Sequence, residues 1–438
     1  MTKVLSEEKK IGIDIFITKK PGVKGKIRSI PDDFCVSEIS KYPKEKKDGK
    51  FVIAEVKSKN WETNQLVKEI SDKLSCSRNR VSFAGTKDKR AITKQLMAFF
   101  NMPTEKIKNI KIRDVDISNI YRSNESVRIG DLVGNSFEIK IRDIKNDYNF
   151  NNVEKITEKI KGLNGFPNFF GIQRFGIIRP ITHIVGKNII NDDYKKAVMA
   201  YIANPIDKQK EKDDFYLRKE LEEKKDFHKA LNTYPNHLNF EKAILNKLVQ
   251  KQDDYISALK ELPKNLLTMF VYAYQSYLFN KILSERIKRK IPINQAIVGD
   301  IILPIRKGLI ESEEIPVTDF NIEKVNKKIK IGKAVVSGVL FGYETVFSKG
   351  EMGEIEHRII ESENIDHRDF IVPDIPYISS KGLRRPILAI TSDLKYEISD
   401  DEINKGKKAL KLSFKLHKGS YATCLIREYM KSDDIISY

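Results

Sequence analysis

Cysteine, histidine and tryptophan are scarce in this chain of 438 residues, which has three, six and one of them respectively. The cysteines, Cys35, Cys76 and Cys424, are far apart, and neither a CxxC nor an HExxH pattern occurs. Structural and catalytic zinc sites need ligands at such spacings. We therefore expect no metal site, and we interpret the cysteines as buried thiols and the histidines as ordinary imidazoles.

Long apolar runs are also missing from the sequence. The first residues, MTKVLSEEKKIGIDIF, lack the uninterrupted apolar core and small-residue cleavage site of a secretory signal. The longest apolar run, residues 266–279, is interrupted by Gln275 and Ser276 and is too short to cross a bilayer. We therefore expect a cytoplasmic protein with no membrane partner.

Positive charge, by contrast, is abundant. Lysine and arginine total 80 against 61 acidic residues, which gives a formal net charge of +19. This excess favours a polyanionic partner, with nucleic acid as the leading candidate, although a generically basic surface would give the same count. Because 438 residues are too many for one ordinary core and 40% are hydrophobic, we expect roughly two or three globular domains.

The most informative stretch is residues 83–95, FAGTKDKRAITKQ. The spacing of apolar residues predicts a helix over 64–74, and strands are predicted over 81–84 and 96–100. Asp88 then lies at the tip of a loop, where its basic neighbours favour an ionised carboxylate. Such a group beside a groove can act as a nucleophile or base. The same residues are also compatible with a charged turn that is only solvated.

A second stretch, residues 165–176, reads GFPNFFGIQRFG and is a poor match to either a helix or a strand. Its phenylalanines supply stacking faces, its glycines allow close backbone approach, and Asn168 can offer a donor and an acceptor to a uracil edge. These features predict a loop that lines a pocket. The same residues are also compatible with a loop whose aromatic side chains are buried in the core.

Two strands complete the predicted site region. Residues 25–39, GKIRSIPDDFCVSEI, contain Arg28 and a proline-led turn, followed by a strand that begins at Phe34, a core residue or a stacking surface. Residues 133–142, VGNSFEIKIR, alternate in polarity, which predicts an antiparallel strand with one solvated face that includes Arg142.

The middle of the chain is more helical. Helices are predicted over 184–200, over 207–227 as a solvated helix, and over 265–290. The last of these ends in basic residues that suit either the helix dipole or contacts with phosphate: Arg286, Lys288, Arg289 and Lys290.

The stretches FAGTKDKRAITKQ and PNFFGIQRFG, together with IPDDFCVSE, VGNSF and KGSYATCLIREYMK, resemble the motif series of the TruD family of tRNA pseudouridine synthases. The five motifs occur in the family's order and span the chain. The resemblance implies an α+β fold, in which a mixed, mostly antiparallel-sheet pseudouridine synthase catalytic domain carries an inserted second α+β (TRUD) domain. It implies a catalytic domain over 1–189 and 390–438, with the insertion over 190–389.

The resemblance also implies roles for individual residues. The aspartate of the family's GxKDK motif is the catalytic nucleophile, which assigns that role to Asp88. It assigns substrate binding to five further residues: Arg28, Phe34, Asn168, Phe170 and Tyr421. The family modifies uridine 13 of certain tRNAs, so the implied partner is tRNA, and we expect the protein to be a monomer.

Conversion of uridine to pseudouridine breaks the N-glycosidic bond, turns the uracil and rejoins it through C5. Because the redox state does not change and there is no net hydrolysis, we expect no cofactor. The site must provide a carboxylate near C1′, a basic partner that holds it ionised, stacking surfaces and room for a flipped-out nucleotide. The resemblance implies that Arg28 is this basic partner of Asp88. Whether Asp88 attacks C1′ or abstracts a proton from C2′ stays open.

Two other functions share single features with this sequence. A GTPase would need aspartate in place of Lys89 and a GxxxxGK[ST] loop, which the sequence lacks. A non-catalytic RNA-binding or chaperone protein on the same fold would need only the basic charge. The presence of Asp88, Asn168 and Arg28 together favours the enzyme.

Overall fold

The computed structural model describes residues 3–437 as a mixed α+β protein with two sheets. The strands are, in chain order, Phe34–Ser40 (β1), Phe51–Lys59 (β2), Val81–Phe83 (β3), Ile92–Phe100 (β4), Val115–Ser123 (β5), Leu132–Ile144 (β6), Gly165–Pro167 (β7), Ile301–Arg306 (β8), Leu309–Ile310 (β9), Ile315–Pro316 (β10), Ala334–Leu340 (β11), Leu383–Pro386 (β12), Leu388–Asp400 (β13) and Lys408–His417 (β14).

The helices alternate with the first strands and then dominate the middle of the chain. They are Ser6–Lys10 (α1), Thr63–Lys73 (α2), Thr104–Lys108 (α3), Asn151–Leu163 (α4), Thr182–Ile190 (α5), Tyr194–Ile202 (α6), Lys208–Glu211 (α7), Asp213–Lys224 (α8), Phe227–Thr233 (α9), Asn239–Gln250 (α10), Tyr255–Lys260 (α11), Lys264–Lys288 (α12), Ile322–Lys330 (α13), Gly350–Ser362 (α14) and Ala422–Met430 (α15). Within residues 3–437, no helix combines the length and apolar character needed to cross a membrane.

The larger sheet has nine strands in the order β5-β2-β4-β1-β6-β14-β13-β7, with β3 paired to β4. Only the β1–β4 pair is parallel, so the predicted mixed, mostly antiparallel sheet is confirmed. The sheet combines strands from residues 34–167 with strands from residues 388–417. The chain therefore returns to its first sheet after the helical middle region.

The smaller sheet has five strands, in the order β10-β8-β11-β12 with β9 paired to β8, and lies within residues 301–386. Helix α12 lies between the two parts of the molecule. Its Phe279 and Leu283 belong to the core of the larger sheet, whereas its Tyr274 and Leu278 belong to the core of the helical region. The boundaries 190 and 389 remain a prediction.

Strand β6 shows how the sequence alternation positions the site. Phe137, Ile139 and Ile141 are buried and Glu138 is exposed, as the alternation predicts. Arg142 is an exception, because it is buried and forms ion pairs with Asp33 at 2.6 Å and with Asp401 at 2.9 Å. The prediction that Arg142 is solvated was wrong.

One residue at the basic end of α12 also differs from its prediction, whereas Lys288 and Lys290 are exposed as expected. Arg286 is fully buried, and its guanidinium binds both carboxylate oxygens of Asp300, at 2.6 and 2.9 Å. A buried, paired guanidinium is not available to phosphate. Asp300 lies in the turn before β8, so the residue spacing within α12 could not indicate that it pairs with Arg286.

The predicted helices over 184–200 and 207–227 are each broken. The first is divided into α5 and α6, and the Asp193 side chain caps α6 by accepting the Lys196 amide at 3.0 Å. The second consists of α7 and α8, with Lys212 between them at a φ of 53°. Arg218 of α8 is buried against Glu211 and Glu241, so this segment is packed as well as solvated.

Candidate active site

The Asp88 loop connects β3 to β4 and is fixed by the residue next to the aspartate. The Lys87 amide donates to Thr63 Oγ1 at 2.7 Å, and Lys87 Nζ donates to Glu38 Oε2 at 3.1 Å and Asn135 Oδ1 at 3.0 Å. The Lys87 and Glu38 side chains are only 7% and 0% exposed. The loop is therefore attached to β1 and β6, in the middle of the larger sheet.

Asp88 projects outward from this anchor and is 61% exposed. Its partner is Arg28, whose Nη2 donates to Asp88 Oδ2 at 2.5 Å from 60 positions earlier in the chain. The Arg28 guanidinium also lies over the Phe34 ring, 4.1 Å from its centroid. Arg28 has a φ of 56°, which is uncommon for arginine and marks a constrained backbone beside the carboxylate.

The basic neighbours that the sequence placed around Asp88 have other partners. Lys87 binds Glu38, and Arg90 Nη2 donates to the Ser29 carbonyl at 3.0 Å. Within the described residues, neither of these two side chains forms an ion pair with Asp88. The charge that pairs directly with Asp88 is Arg28, as the resemblance implies.

Asp88 lines a pocket of about 290 Å³. Four of the six predicted site residues line this pocket: Arg28, Phe34, Asp88 and Tyr421. This volume is near the lower end of small-molecule sites, which span roughly 300–1,000 Å³. The lining residues are Arg28, Phe34, Val36, Thr86, Lys87, Asp88, Asn135, Phe137, Gln173, Ser420, Tyr421, Ala422 and Thr423.

Asn168 and Phe170 do not line this pocket. Asn168 is 3% exposed, and its Nδ2 donates to the Pro386 carbonyl while its Oδ1 accepts from Arg385 Nη2, each at 2.9 Å. Phe170 is buried beneath the Arg385 guanidinium, 4.0 Å from its centroid, and contacts the Tyr421 ring edge-on. Both residues lie behind the wall that Tyr421 forms, so most of residues 165–176 is fixed in the core by its aromatics.

Tyr421 directly precedes α15 and connects this buried layer to the pocket. Burial raises the pKa of the Tyr421 hydroxyl and lowers the pKa of Arg385 to about 10.

The 165–176 segment approaches the start of α15 closely at Gly171. A Cβ there would lie 2.7 Å from Gln173 Oε1 and 3.1 Å from Thr423 Oγ1, so glycine permits the approach.

Asn135 and Phe137 line the pocket but were not among the predicted site residues. The Asn135 Oδ1 is taken by Lys87, whereas its Nδ2 makes no hydrogen bond within the described part of the chain and can serve a substrate carbonyl. The alternation of VGNSF could have identified both, because residues two apart on a strand share one face. Gly134 beside them is also constrained, since a Cβ there would lie 2.1 Å from the Leu416 carbonyl oxygen.

The site thus combines an exposed carboxylate, one guanidinium and aromatic walls. Across residues 3–437, no group of three or more histidine, cysteine, aspartate or glutamate side chains is arranged to hold a metal ion. A fixed carboxylate at the mouth of a nucleoside-sized pocket can act as a nucleophile or base on a ring that enters it.

Comparison with known proteins gives the family. The model of the family described as tRNA pseudouridine synthase D (TruD) matches residues 10–429. This chain belongs to the TruD family. Its relatives therefore include pseudouridine synthases, which are isomerases.

Individual relatives match along nearly the whole chain. A protein named probable tRNA pseudouridine synthase D from Methanococcoides burtonii is 43% identical over 439 residues, covering 99% of each chain. One of the same name from Thermococcus sibiricus is 34% identical over 422 residues, covering 95% of this chain and 97% of the relative. The crystal structure of a TruD protein from Methanosarcina mazei superimposes with a TM-score of 0.89 at 39% identity, covering 99% of this chain and 100% of that one.

Proposed function

We propose that this TruD protein converts uridine 13 of its tRNA substrates to pseudouridine, with Asp88 as the catalytic nucleophile. Family membership supplies the reaction class. The observation that carries the residue assignment is the position of Asp88, which is exposed at the pocket mouth, paired with Arg28 and held through Lys87. A carboxylate fixed before substrate arrives needs little reorganisation during the reaction.

The pocket has room for one flipped-out nucleoside. Phe34 and Tyr421 provide the predicted aromatic surfaces, and Phe137 adds a third. The free Nδ2 of Asn135 is placed to donate to a uracil carbonyl. Aromatic contacts of this kind retain the detached base while it turns.

The chemistry balances as an isomerisation. The N1–C1′ bond breaks, the C5–C1′ bond forms, C5 loses a proton and N1 gains one. Asp88 can serve either proposed route, attack on C1′ or proton abstraction from C2′. The reaction itself needs no cofactor, and Asn168 and Phe170 contribute by supporting the Tyr421 wall.

The alternative is an RNA-binding or chaperone protein without catalysis. Such a protein gains nothing from an exposed carboxylate that faces phosphate, whereas the enzyme requires one. The test is pseudouridine mapping on a tRNA transcript before and after incubation with the protein. We expect one new pseudouridine at position 13 and none in a transcript that carries cytidine there; RNA binding without any pseudouridine would support the alternative.

A further inference from the structure

A second cavity, larger than the Asp88 pocket, lies elsewhere in the structure. It has a volume of about 1150 Å³ and lies between helix α13, the smaller sheet and the ends of β13 and β14. Its apolar surface includes Ile305, Ile329, Val336, Leu388 and Ile390, and no residue that lines it also lines the Asp88 pocket. A cavity above the roughly 300–1,000 Å³ of small-molecule sites fits a segment of a macromolecule better than a metabolite.

The lining of this cavity is strongly basic. Only one of its lining residues, Glu323, is acidic. No carboxylate of the described residues lies within ion-pairing distance of its lysines, which are all exposed: Lys161, Lys307, Lys327, Lys330 and Lys333. Many other lysines are paired, as Lys87 is with Glu38 and Lys281 is with Glu363. Unpaired ammonium groups around one cavity are suited to successive phosphates.

An exposed aromatic residue stands at the start of the same helix. Phe320, two residues before α13, has 102% of its reference accessible area. The turn that presents it is ordered by Asn321, whose Oδ1 accepts the Thr318 amide at 2.9 Å and whose Nδ2 donates to the Pro316 carbonyl at 3.0 Å. Phe320 lies two residues before Ile322, which lines the cavity. An aromatic ring held in solvent at this position has the character of a stacking platform for an unpaired base.

The basic cavity adjoins a smaller cavity that lies toward the Asp88 pocket. A smaller cavity of about 240 Å³ shares Gly308 and His417 with it and extends to Lys418. Lys418 lies two positions before Ser420, which lines the Asp88 pocket. The smaller cavity therefore joins the basic cavity to a segment that borders the Asp88 pocket.

We propose that this basic cavity, with Phe320 at its edge, binds a second, single-stranded segment of the same RNA while the target uridine occupies the Asp88 pocket. The lysines contact the phosphates, and an unpaired base stacks on Phe320. This inference rests on the proposed function for the identity of the RNA, but its binding test does not require catalysis.

The test removes three lysines together, as Lys327→Ala/Lys330→Ala/Lys333→Ala. The matched control is Lys225→Ala/Lys247→Ala/Lys260→Ala, three lysines of the helical region that also have no carboxylate partner among the described residues. We expect the first variant to bind a tRNA transcript at least about tenfold more weakly, with a log–log salt slope lower by about 2. The control should stay within about threefold of the parent.

Two readouts separate this second contact from catalysis. At saturating RNA, the single-turnover rate of the triple variant should stay within about threefold of the parent, because Asp88 is untouched. In Phe320→Trp, the indole fluorescence should be quenched by the transcript, and Phe320→Ala should weaken binding.

Equal losses in the two triple variants, or unchanged affinity in the first, would overturn the inference. Failure of the proposed function looks different. In that case the parent makes no pseudouridine, whereas the difference in affinity between the two triple variants persists.

Discussion

The Asp88 loop and the 165–176 segment border the same pocket, but they present their polar side chains in opposite ways. Asp88 is 61% exposed with one guanidinium partner, whereas Asn168 is 3% exposed with both ends of its amide bonded. A buried amide with its hydrogen bonds satisfied stabilises the structure around it. A carboxylate held at an opening remains available to substrate.

This difference shows that two equally distinctive motifs can serve one site in different ways. The first motif supplies a reactive group and its anchor, Lys87. The second supplies the layer behind Tyr421 and reaches the pocket through Gln173. The comparison predicts that substitutions in the first motif reduce chemistry, whereas those in the second reduce stability.

The largest effect is expected for Asp88→Asn, which keeps the shape of the side chain but removes its charge. A neutral amide can neither attack C1′ nor take a proton from C2′, so single-turnover formation of pseudouridine should fall below detection. RNA affinity should be unchanged or slightly tighter, because an anion that faces phosphate is lost. The folded state should persist, since the side chain is exposed.

Asp72→Asn, at an exposed position on α2, is the matched control and should keep the parent rate. If Asp88→Asn retains a rate within about tenfold of the parent, a barrier change of roughly 1.4 kcal/mol, Asp88 is not the catalytic group.

The next largest effect is expected for Lys87→Met. The substitution removes the anchor of the loop and leaves Glu38 buried without its charge partner. We expect kcat to fall by about 100-fold, with Kd for RNA within about threefold, because the buried Nζ cannot reach phosphate.

The double variant Glu38→Gln/Lys87→Met tests this role even if the single variant unfolds. Removal of both charges should restore stability, measured by thermal unfolding, but not turnover. A double variant with nearly the parent rate would show that Lys87 serves the fold alone.

The sequence predicted the local elements of the site well. The helix over 64–74 and the strands on each side of Asp88 are present as α2, β3 and β4, because apolar spacing is a local property of the chain. Local spacing alone could not supply the partner of Asp88, since Arg28 is 60 positions away. The family resemblance did indicate it, because it implies a basic residue before IPDDF near the catalytic aspartate.

The burial of polar side chains was the feature of the fold that the sequence predicted least well. Asn168, Arg142 and Arg286 were all interpreted as available to solvent or substrate, but each is buried with partners from distant segments. Sequence spacing indicates which face of an element is polar. It does not indicate whether another element covers that face with complementary charges, which is decided by the tertiary fold.

Two asparagine-to-alanine substitutions compare the 165–176 segment with the side of the pocket that holds the Asp88 loop, where Asn135 of β6 binds Lys87. In Asn168→Ala, Arg385 loses a buried acceptor, so we expect a loss of about 1–3 kcal/mol in the free energy of unfolding. Turnover should fall by about tenfold through movement of the Tyr421 wall, with less effect on RNA affinity.

In Asn135→Ala, the pocket loses the free Nδ2, and Lys87 loses one acceptor but keeps its ion pair with Glu38. Turnover should fall at least as much as in Asn168→Ala, but with a smaller loss of stability, as measured by denaturant unfolding and single-turnover rates. The opposite pattern, with Asn168 affecting only turnover and Asn135 only stability, would contradict the comparison.

The smallest effect on chemistry is expected for Glu363→Gln, which tests a packed carboxylate against the exposed Asp88. Burial alone would raise the pKa of Glu363, but Lys187 and Lys281, each at 2.7 Å, outweigh it and hold the pKa at about 2. Because this pKa lies below the unfolded value of 4.5, the carboxylate stabilises the fold above pH 4.5, and that contribution is lost as the pH falls toward 2. The variant should be less stable at pH 7 by on the order of 3 kcal/mol, and its difference from the parent should shrink between pH 5 and about 2.

Glu361→Gln, an exposed position on α14, is the control and should follow the parent. Both variants should keep the parent turnover per folded molecule. Parallel unfolding curves for Glu363→Gln and the parent across this pH range would show that Glu363 contributes no pH-dependent stability.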